Sequence, residues 1–329
     1  MNTAVLGAGA MGTLMALLLS RRNGRRVSLW GHRTANVDCI ARDRENRRLL
    51  PGVELPDSLI ITGDIGAALE GAECLVAAIP SAYLRSTLAA LAPHIPPGLP
   101  VVSVIKGIES NTFRRPTEII LETTGRRPVA VLSGPCHAEE AARGLPANLV
   151  VASSDSGLAN RVREECSTDD FRIYTNSDVI GVELAGALKN VMAIAAGISD
   201  GLGSGDNAKS ALITRGLVEM TRFVVAHGGD PATLVGLAGI GDLITTCISP
   251  HGRNRSVGYR LGQGERLSAI TESMSAVAEG VTTCAGVHAI SHEKRIEMPI
   301  ADAVYQVLFN GKPAWEAARS LMHRPAGHE

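Results

Sequence analysis

The chain has 329 residues, a length typical of about two globular domains. Its 32 basic and 33 acidic side chains leave a formal net charge of −1, which gives no electrostatic case for binding nucleic acid or an anionic membrane surface. Six cysteines are scattered without CxxC spacing, so we expect reduced thiols and neither a disulfide framework nor a zinc site.

The amino-terminal segment predicts a dinucleotide-binding turn. A strand-like run, Thr3–Leu6, leads into Gly7-Ala8-Gly9-Ala10-Met11-Gly12 and then into an apolar, helix-forming stretch. In such a turn Gly7 permits the tight reversal, Gly9 lets the backbone approach a pyrophosphate, and Gly12 lets helix and strand pack closely. Free N–H groups at the helix start hold the phosphate charge. The glycines alone also fit an ordinary turn, but their position between a strand and a helix favours cofactor binding.

The same segment has one feature of a membrane sequence, because residues 3–20 carry no charge and Arg21-Arg22 follow them. A signal peptide carries its positive charge before the apolar core, and glycines interrupt this run. No later stretch supplies the roughly 20 apolar residues that a spanning helix needs. We therefore expect a soluble, cytoplasmic protein without a membrane span.

The first half of the chain alternates strand-like and helical segments. Further strands are predicted at 26–30, 59–62, 74–79, 101–105, 129–132 and 149–151. Helices are predicted at 34–44, 83–92, 116–124 and 137–143. Several strands are apolar throughout, as in a parallel sheet covered on both faces, so we expect an α/β fold with a Rossmann-like, doubly wound sheet.

Beyond about Asn176 the pattern changes to longer helical periods, at 180–196, 210–226, 277–293 and 300–309. We predict a dinucleotide-binding domain at 1–178 and an all-helical substrate and catalytic domain at 179–329. We expect the active site in the cleft between them.

The residues after the second strand, Gly31-His32-Arg33, bear on the choice of cofactor. An acid at this place binds the ribose 2′-OH of NAD, whereas a base accepts the 2′-phosphate of NADP. Because His32 and Arg33 stand here without an acid, we predict NADPH as the cofactor, with NADH as an alternative. The competing interpretation is a solvated loop that is basic by chance.

Two lysines stand in unusual surroundings. Lys106 ends the apolar strand 101–105, at the sheet edge where open α/β folds bind ligands. Lys189 lies in an apolar, small-residue helix, where burial favours the neutral amine and suits it to proton transfer. Either lysine could instead be a surface residue with its stem along apolar surface, the commoner arrangement.

A third polar group follows at 239–255. Asp242 can orient or electrostatically tune a lysine, and Arg253-Asn254 offers forked donors suited to a phosphate. A loop with a helix cap would explain the same residues. Together with two lysines and a dinucleotide, the group indicates hydride transfer to the carbonyl of a small phosphorylated substrate.

Nearly the whole chain resembles the NAD(P)-dependent glycerol-3-phosphate dehydrogenases of the bacterial biosynthetic type. The matching motifs are GAGAMG at 7–12, Lys106-Gly107-Ile108-Glu109, Ser133-Gly134-Pro135, GVELAGALKN at 181–190, Gly205-Asp206-Asn207-Ala208-Lys209, Gly241-Asp242-Leu243, Thr246-Cys247, Arg253-Asn254 and Ala278-Glu279-Gly280. The resemblance implies a Rossmann-like domain followed by a helical domain, similar to 6-phosphogluconate dehydrogenase. It also implies reversible reduction of dihydroxyacetone phosphate to sn-glycerol 3-phosphate, which supplies glycerophospholipid synthesis. We expect a homodimer.

The resemblance assigns roles residue by residue. Lys189 resembles the general acid/base, Lys106 the lysine that contacts substrate and cofactor, and Asp242 completes the catalytic set. Implied substrate contacts are Lys106, Gly134, Cys136, Lys189, Asn190, Asp242, Thr246, Gly252, Arg253 and Asn254. Implied cofactor contacts are Gly7, Gly9, Ala10, Met11, Gly12, His32, Arg33, Lys106, Ala138, Arg253, Val277 and Glu279.

Three residues depart from the family pattern. Cys136 and His137 replace a usual Ser or Thr and a usual Phe, and a thiol donates a weaker hydrogen bond than a hydroxyl. Gly252 stands where Ser is common, which removes a hydroxyl but could leave a backbone N–H for the ligand. A thiolate nucleophile at Cys136 would need a third orienting group, and none is apparent in the sequence.

The histidines offer no metal site in the sequence. His288 and His292 share a helix face, but no HExxH glutamate lies between them and no third ligand is near in sequence, so we expect a solvated helix. The reaction needs no metal, because a lysine ammonium can stabilise the developing alkoxide.

Two other functions remain open at this point. A sibling enzyme, such as a ketopantoate-reductase-like or hydroxyacid dehydrogenase, would share the glycine motif and a catalytic lysine, although Arg253-Asn254 and Gly134-Pro135 suit a phosphorylated substrate better. A catalytically silent dinucleotide-binding module would not need Lys106, Lys189 and Asp242 together.

Overall fold

A computed structural model of the chain describes residues 1–22, 24–274 and 278–324. The protein divides into two compact units. The first comprises Met1–Lys106 and Arg114–Glu183, and the second comprises Gly107–Phe113 and Leu184–Glu329. The second unit thus includes a short segment from the amino-terminal half of the sequence.

The strands of the described residues all lie in the first unit. They are β1 (Thr3–Leu6), β2 (Val27–Trp30), β3 (Glu45–Asn46), β4 (Leu50–Glu54), β5 (Ile60–Thr62), β6 (Cys74–Ala77), β7 (Val101–Ser103), β8 (Val129–Ser133), β9 (Ala147–Ala152) and β10 (Phe171–Asn176). Eight of them form one sheet in the order β5-β2-β1-β6-β7-β8-β9-β10, and β3 pairs with β4 in a separate antiparallel ribbon. The pairs of the large sheet are parallel except β8 with β9.

Helices cover both faces of this sheet. They are α1 (Ala10–Ser20), α2 (Thr34–Asp43), α3 (Ile65–Leu69), α4 (Ser81–Leu91), α5 (Pro116–Thr124), α6 (Ala138–Ala142) and α7 (Ser156–Cys166), with a 3₁₀ turn at Ala92–His94. Alternate residues of β1 enter different cores: Val5 packs with Leu14 of α1, whereas Leu6 belongs with Leu84 and Leu88 of α4. A strand buried on both faces needs the uninterrupted apolar run that the sequence has. The predicted doubly wound sheet is confirmed.

Several elements of the first unit have no counterpart among the predicted ones: the β3–β4 ribbon, α3, α7 and β10. β10 lies at the sheet edge, where Phe171 and Ile173 are buried and Arg172 and Tyr174 are exposed. Such an alternating strand lacks the continuous apolar run that marks the central strands. α7 begins after Asp155, whose carboxylate accepts a hydrogen bond from the Leu158 N–H.

The described residues of the second unit, 107–113, 184–274 and 278–324, contain helices and loops only. The helices are α8 (Val179–Gly201), which belongs to this unit from Leu184 onward, α9 (Gly205–Ala226), α10 (Pro231–Leu234), α11 (Asp242–Ile248), α12 (Arg253–Gly262), α13 (Leu267–Ser273), α14 (Glu279–Lys294), α15 (Pro299–Phe309) and α16 (Ala314–Met322). A π-helical turn at Leu237–Gly241 precedes α11. The predicted all-helical region is confirmed. Within the predicted helix 277–293, Val277 lies outside the described residues.

One helix of the described residues, α8, is long and apolar enough to cross a membrane by length and composition, so the expectation that no later stretch supplies such a segment was wrong. However, 89% of its apolar window is buried within the protein, as in a core helix. α8 also packs closely against α12 through glycines spaced four residues apart on each helix. A Cβ atom at Gly197 would lie 2.1 Å from the Arg255 carbonyl oxygen, and one at Gly258 would lie 2.0 Å from that of Ile194. The two backbones therefore touch, which fixes the start of α12 relative to α8.

Candidate active site

The turn between β1 and α1 has the close backbone packing that the glycine motif predicts. Gly7 has a φ of +118°, and a Cβ there would lie 2.5 Å from the Ala78 carbonyl oxygen. A Cβ at Gly12 would lie 1.8 Å from the Gly7 carbonyl oxygen, whereas one at Gly9 would meet nothing within 4 Å. Glycine is thus required by packing at 7 and 12, and position 9 faces open space.

Helix α1 starts at Ala10 with Gly9 as its N-cap, and no side chain caps it. The first N–H groups of a helix, here beginning at Ala10 and Met11, have no partner inside the helix and carry its positive dipole end. An anion such as a pyrophosphate is the usual ligand of such an end. The turn therefore fits the phosphates of a dinucleotide.

His32 and Arg33 lie on the same edge of the sheet as this turn. β1 and β2 are parallel neighbours in which Leu6 pairs with Trp30, so the residues after each strand leave at the same end. Both side chains are exposed, and the His32 ring lies 6.3 Å from the Trp30 ring. The basic pair is thus accessible to an anion beside the glycine turn.

Lys106 and Gly134 meet at the carboxyl edge of the neighbouring strands β7 and β8. The half-buried Lys106 Nζ donates a hydrogen bond to the Gly134 carbonyl oxygen over 2.9 Å. Gly134 has a φ of +134°, and a Cβ there would lie 3.0 Å from the Leu149 Cα, so a side chain would strain this turn. Cys136 follows, half-buried against the core, and Ala138 begins α6, which packs against α1. All six cysteines are free thiols.

Lys189 forms a buried ion pair in the second unit. Its Nζ lies 2.5 Å from Asp242 Oδ1 and 2.7 Å from Thr246 Oγ1. The Thr246 hydroxyl donates to the Asp242 carbonyl oxygen over 2.7 Å, which fixes its acceptor lone pair toward the lysine. All three residues are buried, with Lys189 only 6% exposed. Lys189 is therefore a core residue with a carboxylate partner, not a surface lysine.

Cys247 lies next to this cluster in sequence and is fully buried. Burial raises the pKa of its thiol to about 12, although the charge of Lys189 opposes the rise. A neutral thiol is a poor nucleophile, so Cys247 contributes packing rather than thiolate chemistry.

Asn190, Asn254 and Gly280 form the next part of the cluster. The Asn254 Oδ1 accepts a hydrogen bond from the Gly280 N–H over 3.0 Å, which directs the amide nitrogen of Asn254 away from this contact. A Cβ at Gly280 would lie 2.7 Å from the Asn190 carbonyl oxygen, so the start of α14 sits directly on α8. Glu279, the first residue of α14, is half-buried, and Val277 lies outside the described residues.

Arg253 is the exposed first residue of α12, between the buried Gly252 and Asn254. The Gly252 N–H donates to the Ser249 carbonyl oxygen over 3.3 Å. The backbone donor that Gly252 could leave for a ligand therefore has a partner in the turn. A Cβ at Gly252 would lie 3.2 Å from the Thr246 carbonyl oxygen, tighter than ordinary contact.

Sequence reasoning missed a second charge cluster, centred on Asp200 at the end of α8. Arg255 binds its carboxylate through Nε and Nη2, at 2.8 and 2.6 Å, and Lys209 Nζ lies at 2.5 Å. Arg255 follows Arg253-Asn254 directly, so these ion pairs hold the first turn of α12. Lys209 belongs to the motif at 205–209, but nothing in the sequence pairs it with Asp200.

Family models and close relatives match nearly the whole chain to the glycerol-3-phosphate dehydrogenases. Residues 2–159 match the NAD-dependent glycerol-3-phosphate dehydrogenase N-terminus, and residues 178–319 match the C-terminus of the same family. A relative from Chlorobium limicola, named glycerol-3-phosphate dehydrogenase [NAD(P)+], is 50% identical over 98% of each chain. One of the same name from Geobacillus kaustophilus is 48% identical over 98% of this chain and 94% of its own. The crystal structure of glycerol-3-phosphate dehydrogenase from Coxiella burnetii, 38% identical, superposes with a TM-score of 0.95 over 98% of this chain and 99% of its own.

Proposed function

The chain belongs to the NAD-dependent glycerol-3-phosphate dehydrogenase family, and we propose that it reduces dihydroxyacetone phosphate reversibly to sn-glycerol 3-phosphate with NAD(P)H. The observation that carries the proposal is the buried Lys189–Asp242 pair on α8 and α11, with Thr246 as a third partner. A buried ammonium held by a carboxylate and a hydroxyl suits proton transfer to a carbonyl oxygen. The product would supply glycerophospholipid synthesis.

The cofactor would be held by the turn at Gly7, Gly9 and Gly12 and by the N–H groups at the start of α1, beginning at Ala10 and Met11. Its nicotinamide supplies the hydride when bound. We propose NADPH as the preferred form, because the exposed His32 and Arg33 stand where an NAD enzyme has an acid. Further cofactor contacts are proposed at Lys106, Ala138, Arg253, Val277 and Glu279.

Lys189 would donate the proton to the substrate oxygen during reduction, and its neutral amine would take the proton back in the reverse direction. Asp242, 2.5 Å away, stabilises the ammonium form, and the Thr246 hydroxyl at 2.7 Å limits where Nζ can lie. The cluster would thus hold the transferable proton at Lys189 Nζ. Asp242 is a catalytic partner in this scheme because it sets the charge state of the acid.

The phosphate of the substrate would bind at the start of α12. Arg253 is exposed there, its guanidinium can form two parallel hydrogen bonds to a phosphate, and the helix dipole favours an anion. The Asp200–Arg255 pair and the glycine contacts with α8 keep this turn in place. Asn254 and Asn190 are proposed to contact the substrate from the same cluster, and Lys106, Gly134, Cys136 and Gly252 are proposed as further contacts.

We also propose a homodimer located in the cytoplasm, as the family resemblance suggests. Sedimentation of the purified chain tests the first of these.

The reaction is tested by following NADPH absorbance with dihydroxyacetone phosphate and, in parallel, with ketopantoate. We expect oxidation with the former only. Oxidation with ketopantoate alone would identify the sibling enzyme, and no oxidation with either, despite NADPH binding, would identify a silent binding module.

Arg253→Lys tests how the substrate is recognised. A lysine offers a point charge in place of a fork, so kcat/KM for dihydroxyacetone phosphate should fall by about 100-fold or more. The kcat/KM for unphosphorylated dihydroxyacetone should fall much less. The control Arg266→Lys, at an exposed arginine, should leave kcat/KM unchanged for both substrates. Because Arg253 is also a proposed cofactor contact, NADPH affinity is measured separately. Equal losses for both substrates, at unchanged NADPH affinity, would contradict phosphate recognition by Arg253.

A further inference from the structure

Two histidines of one helix and an aspartate of the next lie close together in the second unit. These helices, α14 and α15, are not the ones that carry the Lys189 cluster. His288 and His292 lie one turn apart on α14, and Asp302 lies in the first turn of α15. The helices pack against each other, which brings Asp302 to the histidine pair. The sequence argument against a metal, that no third ligand is near, therefore does not hold in three dimensions.

The distances within this group match those between ligands of one metal ion. His288 Nδ1 lies 3.0 Å from Asp302 Oδ1, and His292 Nε2 lies 3.4 Å from the same oxygen. Ligands at Zn²⁺ bond lengths of roughly 2.0–2.1 Å stand about 3.3 Å apart in a tetrahedron. All three ligand atoms lie within 4.8 Å of one another, so closing the third edge needs at most a small rotation of an imidazole.

The group also has one fixed and one adjustable ligand. His288 is half-buried and stacks on Tyr305, with ring centroids 3.6 Å apart and an interplanar angle of 8°. The His292 side chain is 62% exposed and can turn toward an ion without disturbing the core. Asp302 supplies the negative charge of the group.

We propose that His288, His292 and Asp302 form a Zn²⁺ site that links α14 to α15. Two imidazoles and a carboxylate are a donor set that zinc takes in proteins, and solvent fills the remaining coordination position. The hydride-transfer chemistry does not involve this site. Its effect would be to stabilise the second unit, since an ion bound only by the folded state raises stability.

The test uses the full chain, stripped of metal, titrated with Zn²⁺ against a fluorescent zinc chelator and, separately, with Co²⁺ to record visible absorbance. We expect one site per chain, an increased thermal midpoint with Zn²⁺, and no thiolate-to-cobalt charge-transfer band. His292→Ala and Asp302→Asn should each weaken Zn²⁺ binding at least tenfold. Both replaced side chains are substantially exposed, so these variants should fold.

His94→Ala is the matched control, because it removes an exposed imidazole from the first unit. It should bind Zn²⁺ as the unmodified chain does. The proposal is overturned if the unmodified chain binds no Zn²⁺ at micromolar concentration, or if His292→Ala and Asp302→Asn bind it with unchanged affinity. A thiolate band in the Co²⁺ spectrum would place the ion on cysteine instead and would also overturn the proposal.

Discussion

The two units form their candidate sites from different parts of the chain. In the first unit the site consists mostly of backbone, at turns where a Cβ atom at Gly7 or Gly12 would overlap a carbonyl oxygen. In the second it consists of buried charged side chains, chiefly Lys189 and Asp242. Function in the first unit should therefore be sensitive to added bulk, and function in the second to lost charge.

The largest effect is expected where a buried charge is removed. Lys189→Met should reduce kcat by about 10²- to 10⁴-fold, the usual contribution of a general acid. The variant also leaves the Asp242 carboxylate buried without its ammonium partner, which by itself costs stability on the order of 3–5 kcal/mol. The double variant Lys189→Met, Asp242→Asn removes that penalty while still lacking the acid.

We therefore expect the double variant to regain stability in urea titrations but not turnover, with NADPH affinity close to that of the unmodified chain. Near-normal turnover in either folded variant would remove Lys189 from the mechanism.

A second buried carboxylate of the helical unit, that of Glu219, predicts that the free energy of unfolding depends on pH. Glu219 accepts hydrogen bonds from the N–H groups of Ile300 and Ala301 at the start of α15. Burial raises the pKa of its carboxyl from 4.5 to about 7, against the effect of those hydrogen bonds. Between these two values the folded state binds a proton that the unfolded state does not, so the free energy of unfolding falls as pH rises from 4.5 to about 7.

Glu219→Gln is neutral at every pH and should lack this decline. Between about pH 5 and pH 8, the free energy of unfolding measured in urea titrations should fall on the order of 3 kcal/mol further for the unmodified chain than for the variant. Glu316→Gln, at an exposed acid of the same unit, is the control and should follow the unmodified chain. A parallel pH dependence for Glu219→Gln would show that Glu219 titrates normally.

Two glycines of the turn between β1 and α1 test whether the first unit is sensitive to added bulk. A Cβ at Gly12 would lie 1.8 Å from backbone, so Gly12→Ala should lower the free energy of unfolding by about 1–3 kcal/mol, as overpacking does. Gly9 has open space and an ordinary extended conformation, so Gly9→Ala should change stability by no more than about 0.5 kcal/mol.

The cofactor separates the two variants further. If the backbone at position 9 approaches the pyrophosphate as proposed, Gly9→Ala should still raise the Kd for NADPH by roughly tenfold, or about 1.4 kcal/mol. Unchanged NADPH affinity in this variant would show that the turn does not hold the phosphates as proposed.

The same contrast explains how much the sequence could predict. The glycine turn and the central strands follow from local patterns, because a strand buried on both faces is apolar throughout and a tight turn needs glycine. These predictions are confirmed. β10 was missed because its residues alternate, and it lies at the edge of the sheet.

Pairings between distant side chains carry no local pattern. The sequence indicated that Asp242 can orient a lysine, but not which one. It gave no sign of the pair Asp200–Arg255, whose helices α8 and α12 pack through glycines at 197, 201, 258 and 262, or of the pair His288–Asp302. Helical periodicity identifies the buried face of a helix and does not say which helix covers it. The side chains of the candidate site could be named from the sequence, but their pairing needed the structure.

The effect that salt should weaken most is expected where the first unit uses an exposed charge in place of backbone. Arg33 lies at the carboxyl end of β2, beside the glycine turn, and no acid stands there to bind a ribose 2′-OH. A guanidinium in this place favours a 2′-phosphate through charge-assisted hydrogen bonds, so Arg33→Asp should shift the ratio of kcat/KM values from NADPH toward NADH by about 1–3 kcal/mol. Arg126→Asp, at an exposed arginine before the start of β8 and so at the opposite sheet edge, makes the same change in net charge and should leave the ratio unaltered. The shift should shrink as salt is added, because exposed charges are screened. If the unmodified chain uses NADH at least as well as NADPH, the basic pair is a solvated loop, and the first unit then selects its cofactor through backbone alone.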